Sequence, residues 1–508
     1  MINNINIKLM SIILIKLLYM TSKVAVKNLL IDEKCNVKGT LVEKDGIMYN
    51  CALNQTDLKS NKNKFYIMQL ILAGSEYTLY VRYGRVGEPG VTSYKKFTDE
   101  ASGIRAFANQ FKTKTGNVWG TTDFKKKDGK YFLSEVSYDD AIKDVKDIEI
   151  KTPDTKLDKK VHELISMLSD TNMMNDALVS LDIDTKKMPL GKLKETQLKK
   201  AEKLLDDIEK MLQDKVNKPD LDTLTDLSSE YYTYLPMACG RKKPPVINDS
   251  ERIAKYKEII DELRNMVVAV NIKNNVKSGD NPIDGIYDGI KTKIQPLDKS
   301  SQMYAEILKY VANSHGSTHS CKLEVLDIYE VEQEGKREKF EKACQGIDNR
   351  TLLIHGSGLS NWLSILRHDL LINPQVVSKN VVIAGKMFGY GLYFANCISK
   401  SWGYCRTETS KGIACLALAE VALGNVDKRI NADYHINSAS LKKTGHNSVQ
   451  GQGQTTIKDN TTVNNLIIPN GPLTKSNVKA SLLYDEFIVY ESNQQLIRYL
   501  IIVKNKSH

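Results

Sequence analysis

Three stretches far apart in the chain carry side chains that could do chemistry together. Residues 352–358 (LLIHGSG) end a short apolar run at His355. Histidine offers two ring nitrogens and Ser357 a hydroxyl, a set suited to a sugar hydroxyl or a carboxamide. Gly356 between them lets a ligand approach the backbone closely. An ordinary His-Gly turn would carry the same residues. Residues 385–405 (GKMFGYGLYFANCISKSWGYC) set Gly385, Gly389 and Gly391 beside Tyr390, Tyr393, Trp402 and Tyr404. Glycines next to aromatic faces suit a slot for a flat ring, and Ser399, Lys400 and Ser401 add donors. A glycine-rich hairpin with surface tyrosines would read alike. Residues 481–490 (SLLYDEFIVY) place Asp485 and Glu486 inside an apolar strand. A carboxylate there costs free energy unless it is paired or used, or lies on an edge facing water.

These groups need a scaffold. The chain has 508 residues, 41% of them apolar and 26% charged. At roughly 100–200 residues per domain, that length implies three or four folded units. The composition is that of a globular chain and excludes a membrane protein, a collagen-like fibre and a mainly disordered chain. Residues 65–72 and 77–84 read as strands, the second ending in a turn at Gly84, Gly87, Pro89 and Gly90. A helix follows from Glu100, with Ile104, Phe107 and Phe111 on one face. Residues 150–275 read as helical. Val161, Leu164, Ile165 and Leu168 form one buried stripe; Leu198, Ala201, Leu205, Ile208 and Leu212 form another, with Pro189 and Gly191 between them. Residues 274–282 read as a linker, and residues 487–504 as two strands joined by a polar turn.

Eight cysteines show no CxxC pair and no cluster with zinc-ligand spacing, so no metal is expected and a reducing compartment is. The apolar residues 1–20 are interrupted by Ser11 and Lys16 and lack a small-residue cleavage site. They are too short for a membrane span and read as a dispensable tail, with Met20 as an alternative start.

Lys plus Arg number 72 against 61 Asp plus Glu, a net charge of +11. Residues 59–130 hold 14 of the cations and 6 of the acids, a net of +8. Tyr66, Tyr80, Tyr83, Tyr94, Phe97 and Trp119 are interleaved with them. A basic surface with aromatics can contact phosphates and stack on bases. A solvated face over core aromatics would show the same pattern.

Taken in order, HGS (355–357), MFGYGLYFA (387–395), SKS (399–401), YC (404–405) and LLYDEFIVY (482–490) resemble the catalytic domain of poly(ADP-ribose) polymerases. EVALGN (420–425) and GHNSVQGQGQTT (445–456) are similar to segments of the same domain. TKKMPLGKLKETQL (185–198) and YYTYLPMACGRKKPP (231–245) resemble the family's helical regulatory domain. NQTDLKSNKNKFYIMQL (54–70) with VRYGRVGEPG (81–90) resembles its WGR domain. The order is that of the short, DNA-dependent members, in which no zinc finger comes first.

The resemblance implies a multidomain α+β chain: a tail (1–39), a β-rich WGR DNA-binding domain (40–145), an all-α helical regulatory domain (152–275) and a mixed α/β ADP-ribosyltransferase catalytic domain (283–508). It implies that NAD is the substrate, nicotinamide the leaving group, and a protein side chain or growing chain the acceptor. The family triad falls on His355, Tyr393 and Glu486. His355 would hold an NAD ribose hydroxyl. Tyr393 and Tyr404 would sandwich the nicotinamide ring, and Gly356 and Ser401 would bind its carboxamide. Ser357 would lie toward the adenosine, and Ser364 and Lys400 would also line the site. Glu486 would stabilise positive charge developing on the sugar, and its presence favours chain elongation over single transfer.

Tyr83-Gly84-Arg85 stands where the family has Trp-Gly-Arg. Tyr83 would stack on DNA, and Arg85 would couple DNA contact to the helical domain, which blocks NAD entry until DNA loosens it. The implied partners are 5′-phosphorylated nicks or ends of DNA, acceptor proteins such as histones, the chain itself, and an accessory factor where serine is the acceptor; the implied compartment is the nucleus, with no membrane. A mono-ADP-ribosyltransferase and a non-enzymatic DNA-end scaffold of the same build remain alternatives. Departures are Leu371 for an arginine near the adenine, Ile354 for a tryptophan, a longer loop over residues 374–385, and Lys386 and Tyr390 within the glycine-rich stretch. They bear on NAD affinity, not on reaction class.

Overall fold

The computed structural model describes residues 31–134, 136–137, 154–170, 173, 192–193, 195–214, 219–274, 281–370, 372 and 387–506. The expectations for residues 1–30, Pro189, Gly191, residues 275–280 of the linker, Leu371, the loop 374–385, Gly385 and Lys386 lie outside them; the linker's ends, Asn274 and Pro282, belong to helices. The chain divides into two compact units. The first holds residues 1–151, 181–208 and 219–248; the second holds residues 152–180, 209–218 and 249–508.

In the first unit an antiparallel sheet runs in the order β4-β3-β2-β1-β5: β1 (Asn50–Asp57), β2 (Lys62–Ala73), β3 (Glu76–Arg85), β4 (Val91–Phe97) and β5 (Phe132–Ser134). Alternate residues of β2 explain why it is buried on both faces. Tyr66, Met68 and Leu70 meet α1 (Glu100–Thr115) through Phe107 and Phe111. Leu41, Ile71 and Tyr80 pack on the other face with Ile31, Cys35 and Val37. Asp99 starts α1 by accepting the Ser102 N–H at 2.9 Å, a capping bond that satisfies one orphan donor.

The helical stretch contains α2 (Lys159–Leu168), α3 (Glu195–Gln213), α4 (Leu221–Tyr234) and α5 (Ser250–Asn274). The two stripes expected from the spacing are buried, Val161, Leu164, Ile165 and Leu168 on α2 and Leu198, Ala201, Leu205 and Ile208 on α3, except that Leu212, near the end of α3, is half-buried. Residues 195–208 of α3 and all of α4 belong to the first unit, α2 and α5 to the second.

The second unit continues with α6 (Pro282–Ile290), β6 (Thr292–Pro296), α7 (Gln302–Asn313) and β7 (Leu323–Gln333). Its site-bearing part consists of β8 (Arg350–Gly356), α8 (Trp362–His368), β9 (Leu392–Phe394), α9 (Ile398–Trp402), β10 (Ile413–Ala422), β11 (Val426–Arg429), β12 (Ser448–Gly451), β13 (Thr461–Val463), β14 (Leu466–Ile468), β15 (Glu486–Val489) and β16 (Gln495–Asn505). Seven strands form the main sheet in the order β6-β7-β16-β10-β8-β14-β13, and four form a second in the order β9-β15-β12-β11. Central β10 is buried along almost its whole length, as expected of a strand covered on both faces. Its one charge, Glu420, is paired with Arg350 at 3.3 Å and with Arg498. The two strands expected in residues 487–504 are present, but they enter different sheets. The eight cysteines are all free, and among the described residues no helix is long and apolar enough to cross a membrane.

A feature absent from the sequence reading is the buried pair Lys336–Asp369, side chains 7% and 8% exposed. Lys336 also donates to the Ser492 carbonyl at 3.0 Å, and Asp369 accepts from Gln495 at 2.8 Å. Burial pushes the Asp369 carboxyl up, against the pull of Lys336. Removing one partner leaves a buried charge, so Lys336→Met should cost roughly 3–5 kcal/mol. The double variant Lys336→Met/Asp369→Asn should cost less than the single one, as read from urea midpoints.

Candidate active site

Two backbone hydrogen bonds assemble the site. Ile354 N–H donates to the Ala395 carbonyl at 2.8 Å, and Ala395 N–H to the Ile354 carbonyl at 2.9 Å. They join the end of β8 to the turn after β9. Next along β8, His355 sets Nδ1 3.0 Å from the Tyr393 carbonyl, which assigns the proton to Nδ1 because a carbonyl only accepts. Tyr393 lies opposite Ile488 in the β9–β15 ladder, and Glu486 starts β15 two residues earlier. Side chains two apart share a face. His355, Tyr393 and Glu486 are therefore brought together from three separate stretches.

Glycines set the close approaches. Gly356 faces the Ser401 carbonyl so tightly that any Cβ would collide with it. Gly389 has φ +73°, a conformation only glycine adopts freely, and sits against the Ile436 carbonyl. The Gly389 carbonyl accepts the Tyr393 hydroxyl at 2.7 Å, and that oxygen accepts Phe388 N–H at 3.1 Å. Burial pushes the Tyr393 phenol well up, so it stays protonated and locked as a donor. Tyr404, by contrast, is 61% exposed.

The two acids of the third stretch part company. Glu486 forms an ion pair with Lys400 of α9 at 2.9 Å, side chains 12% and 14% exposed. Lys400 also donates to the Tyr484 carbonyl at 3.1 Å. Asp485 is fully buried and accepts from Gly453 N–H at 2.7 Å, Thr456 hydroxyl at 2.5 Å and Asn396 amide at 3.3 Å. Asp485 is thus a structural acceptor, and Glu486 alone is held by a side chain that can move.

Other predicted residues are less prominent. Ser401 is buried, with its hydroxyl 3.3 Å from the Ile354 carbonyl. Ser357 accepts the Asn361 amide at 2.9 Å, and Ser364 is half-buried on α8. Ser399, expected as a ligand donor, is committed elsewhere: its hydroxyl accepts Gly316 N–H at 2.7 Å and meets His319 Nδ1 at 2.8 Å. The sequence reading missed His319, which stacks on Tyr484 with centroids 5.1 Å apart. Its clue is the pair His315 and His319 in residues 314–321. Burial first, then His315 and Lys400, hold the His319 imidazole below its ordinary value of 6.5. The unfolded chain binds that proton more tightly, so this group's contribution is present above about pH 6.5 and lost on acidification. NMR titration should give His319 a midpoint below that of a histidine in the urea-unfolded chain.

In the first unit, Tyr83 is 42% exposed and stacks on Tyr66 at 5.6 Å. Gly84 is packed against Phe65 and Gly90. Arg85 donates to the carbonyls of Gly240 (2.5 Å), Lys242 (2.9 Å) and Asn61 (3.0 Å), and to the Asn61 side chain at 2.8 Å. Of the interleaved aromatics, Tyr66 and Tyr80 are core, whereas Tyr83 and Tyr94 are exposed.

Models of three domain families match this chain: the WGR domain over residues 49–126, the poly(ADP-ribose) polymerase regulatory domain over residues 155–287, and the poly(ADP-ribose) polymerase catalytic domain over residues 301–505. The chain is 34% identical over 477 residues to Poly [ADP-ribose] polymerase 1 of Danio rerio, covering 91% of this chain and 46% of that protein. It therefore spans about half the length of such relatives. It is 33% identical to Poly [ADP-ribose] polymerase 2-A of Oryza sativa subsp. japonica, covering 90% of this chain and 70% of that one. It is 32% identical to Poly [ADP-ribose] polymerase 2 of Homo sapiens, covering 90% and 79%. With three domain models matched in order and two relatives covered over more than two thirds of their length, the chain belongs to the poly(ADP-ribose) polymerase family.

Proposed function

We propose that this chain is a DNA-break-activated poly(ADP-ribose) polymerase that cleaves NAD, releases nicotinamide and passes ADP-ribose to protein acceptors and growing chains. The observation that carries this reading is the convergence of His355, Tyr393 and the Lys400–Glu486 pair on one set of ladders. NAD, as substrate, supplies the nicotinamide–ribose bond that breaks. The residues suit it. With Nδ1 committed to a carbonyl, His355 turns Nε2 to a ribose hydroxyl. The protonated Tyr393 and the exposed Tyr404 offer ring faces for nicotinamide. The Gly356 backbone and the Ser401 hydroxyl hold its carboxamide and so fix the leaving group. Ser357 and Ser364 lie toward the adenosine side.

Glu486 has two tasks in this scheme. Its carboxylate stabilises positive charge on the departing ribose and orients the acceptor hydroxyl. Pairing with Lys400 holds it in place between turnovers. Lys400, held by the Tyr484 carbonyl, also lines the NAD site in this reading.

The trigger in this reading is a nicked or broken, 5′-phosphorylated duplex. Support comes from the +8 net charge of residues 59–130, the exposed Tyr83, and Arg85 spent on the carbonyls of Gly240 and Lys242. We assign DNA reading to residues 40–145, restraint to residues 152–275 and catalysis to residues 283–508. Histones and the chain itself are the acceptors, serine acceptors needing an accessory factor, and the compartment is the nucleus.

Labelled NAD with the purified chain should yield DNA-dependent polymer on a gel. Glu486→Gln should shorten the product to single units and slow it by at least about a hundredfold, the scale of losing one electrostatic catalytic group. Absence of DNA-dependent labelling would sink the reading; polymer unchanged in Glu486→Gln would sink the role of that carboxylate.

A further inference from the structure

The basic run Arg241-Lys242-Lys243 is not used by anything described so far. All three side chains are exposed, and none has an ion pair among the described residues. The loop that carries them is nevertheless tightly held. Arg85 donates to the carbonyls of Gly240 and Lys242. Asn63 donates to the Met237 carbonyl at 3.0 Å. Gly87, at φ +86°, leaves no room for a Cβ against Ala238. The run is thus fixed beside Arg85 at the end of β3, and Arg85 lies two residues, about 7 Å, along the strand from Tyr83. Tyr83 and Arg85 share a face.

Charge bookkeeping favours a polyanion. Of the acids of α4, Asp226 is paired with Lys59 at 2.8 Å and Glu230 with Lys126 at 3.3 Å, while Asp222 and the capping Asp220 sit at the far, N-terminal end of the helix. Asp57 is met by Lys62 at 3.5 Å. Glu88 remains, exposed, beside Gly240, so the local balance stays positive. Arg85 itself has four of its five N–H groups bonded to protein oxygens and has little left for a phosphate. The exposed side chains of Arg241, Lys242 and Lys243, on the loop it grips, are placed to meet one.

We propose that Arg241, Lys242 and Lys243, which belong to the regulatory segment and not to the WGR domain, form part of the DNA interface and contact backbone phosphates next to Tyr83. This rests on the DNA-binding part of the function proposed above. The regulatory segment would then feel DNA directly as well as through Arg85.

The test is fluorescence anisotropy of the full chain on a 5′-phosphorylated nicked duplex across a salt series. Arg241→Gln/Lys243→Gln should weaken binding and reduce the slope of log affinity against log salt by about 2, close to one per lost phosphate contact. The charge-retaining Arg241→Lys/Lys243→Arg should keep the parent slope, which separates charge from folding, and single Lys243→Gln should lose about 1. A parent-like slope in both glutamine variants overturns the proposal. So does an equal loss in Lys339→Gln/Lys342→Gln, which removes two exposed cations from a helix of the catalytic unit. Failure of the parent chain to bind the nicked duplex would instead overturn the DNA reading itself.

Discussion

The site depends on the two-bond bridge between Ile354 and Ala395. β8 is a central strand, paired with β10 along its length and with β14 at Thr351, so its end is among the stiffer points of the unit. The bridge transfers that stiffness to β9. From β9 the ladder to β15 sets Glu486, and α9, beginning three residues after Ala395, sets Lys400. Ladder positions are quantised by the strand repeat; a one-residue slip would turn Glu486 to the opposite face. A constellation built this way needs no long side-chain network to hold it, only correct register, and positioned groups are what catalysis by binding and electrostatics requires.

Buried charge imposes the second constraint. Asp485 and Glu486 are neighbours, yet successive side chains of an extended backbone diverge. One meets neutral donors that satisfy it, and the other meets a lysine. The difference is chemically useful. A carboxylate ringed by a backbone N–H, a hydroxyl and an amide has nothing to release. A carboxylate paired with a flexible ammonium can exchange that partner for a substrate group at modest cost. Glu420, between Arg350 and Arg498, and Asp369, on Lys336, are likewise paired with cations.

Much of this was legible in the residues. The helical stripes on α2 and α3 follow 3.6-residue spacing, and their burial depends on little else. His355, Tyr393 and Glu486 stand out because each motif is short and rich in glycine or acid. What could not be read is whatever depends on contacts distant in sequence. Ser399 resembles a ligand donor until Gly316 and His319, 83 and 80 residues away, claim its hydroxyl. The Lys336–Asp369 pair has no local signature at all. Composition also misled where aromatics were concerned: a strand alternates between faces, so tyrosines three apart, such as Tyr80 and Tyr83, end up one in the core and one in solvent.

Arg85 shows that a residue's type does not by itself name its partners. An arginine in the most basic part of the chain invites an electrostatic role. Its guanidinium instead meets three main-chain carbonyls and one side-chain amide oxygen. Hydrogen bonds from a charged donor contribute about 1.5–3 kcal/mol each. A displacement of the end of β3 must therefore carry the 237–242 loop with it or give up several of those bonds together. That is a mechanical link, and it is little screened by salt because its acceptors are dipoles at contact distance, not ions across water. Attraction of a polyanion to free lysines falls steeply with salt. The two kinds of cation lie side by side, one exposed to solvent and the other committed to main-chain carbonyls, so salt separates their contributions.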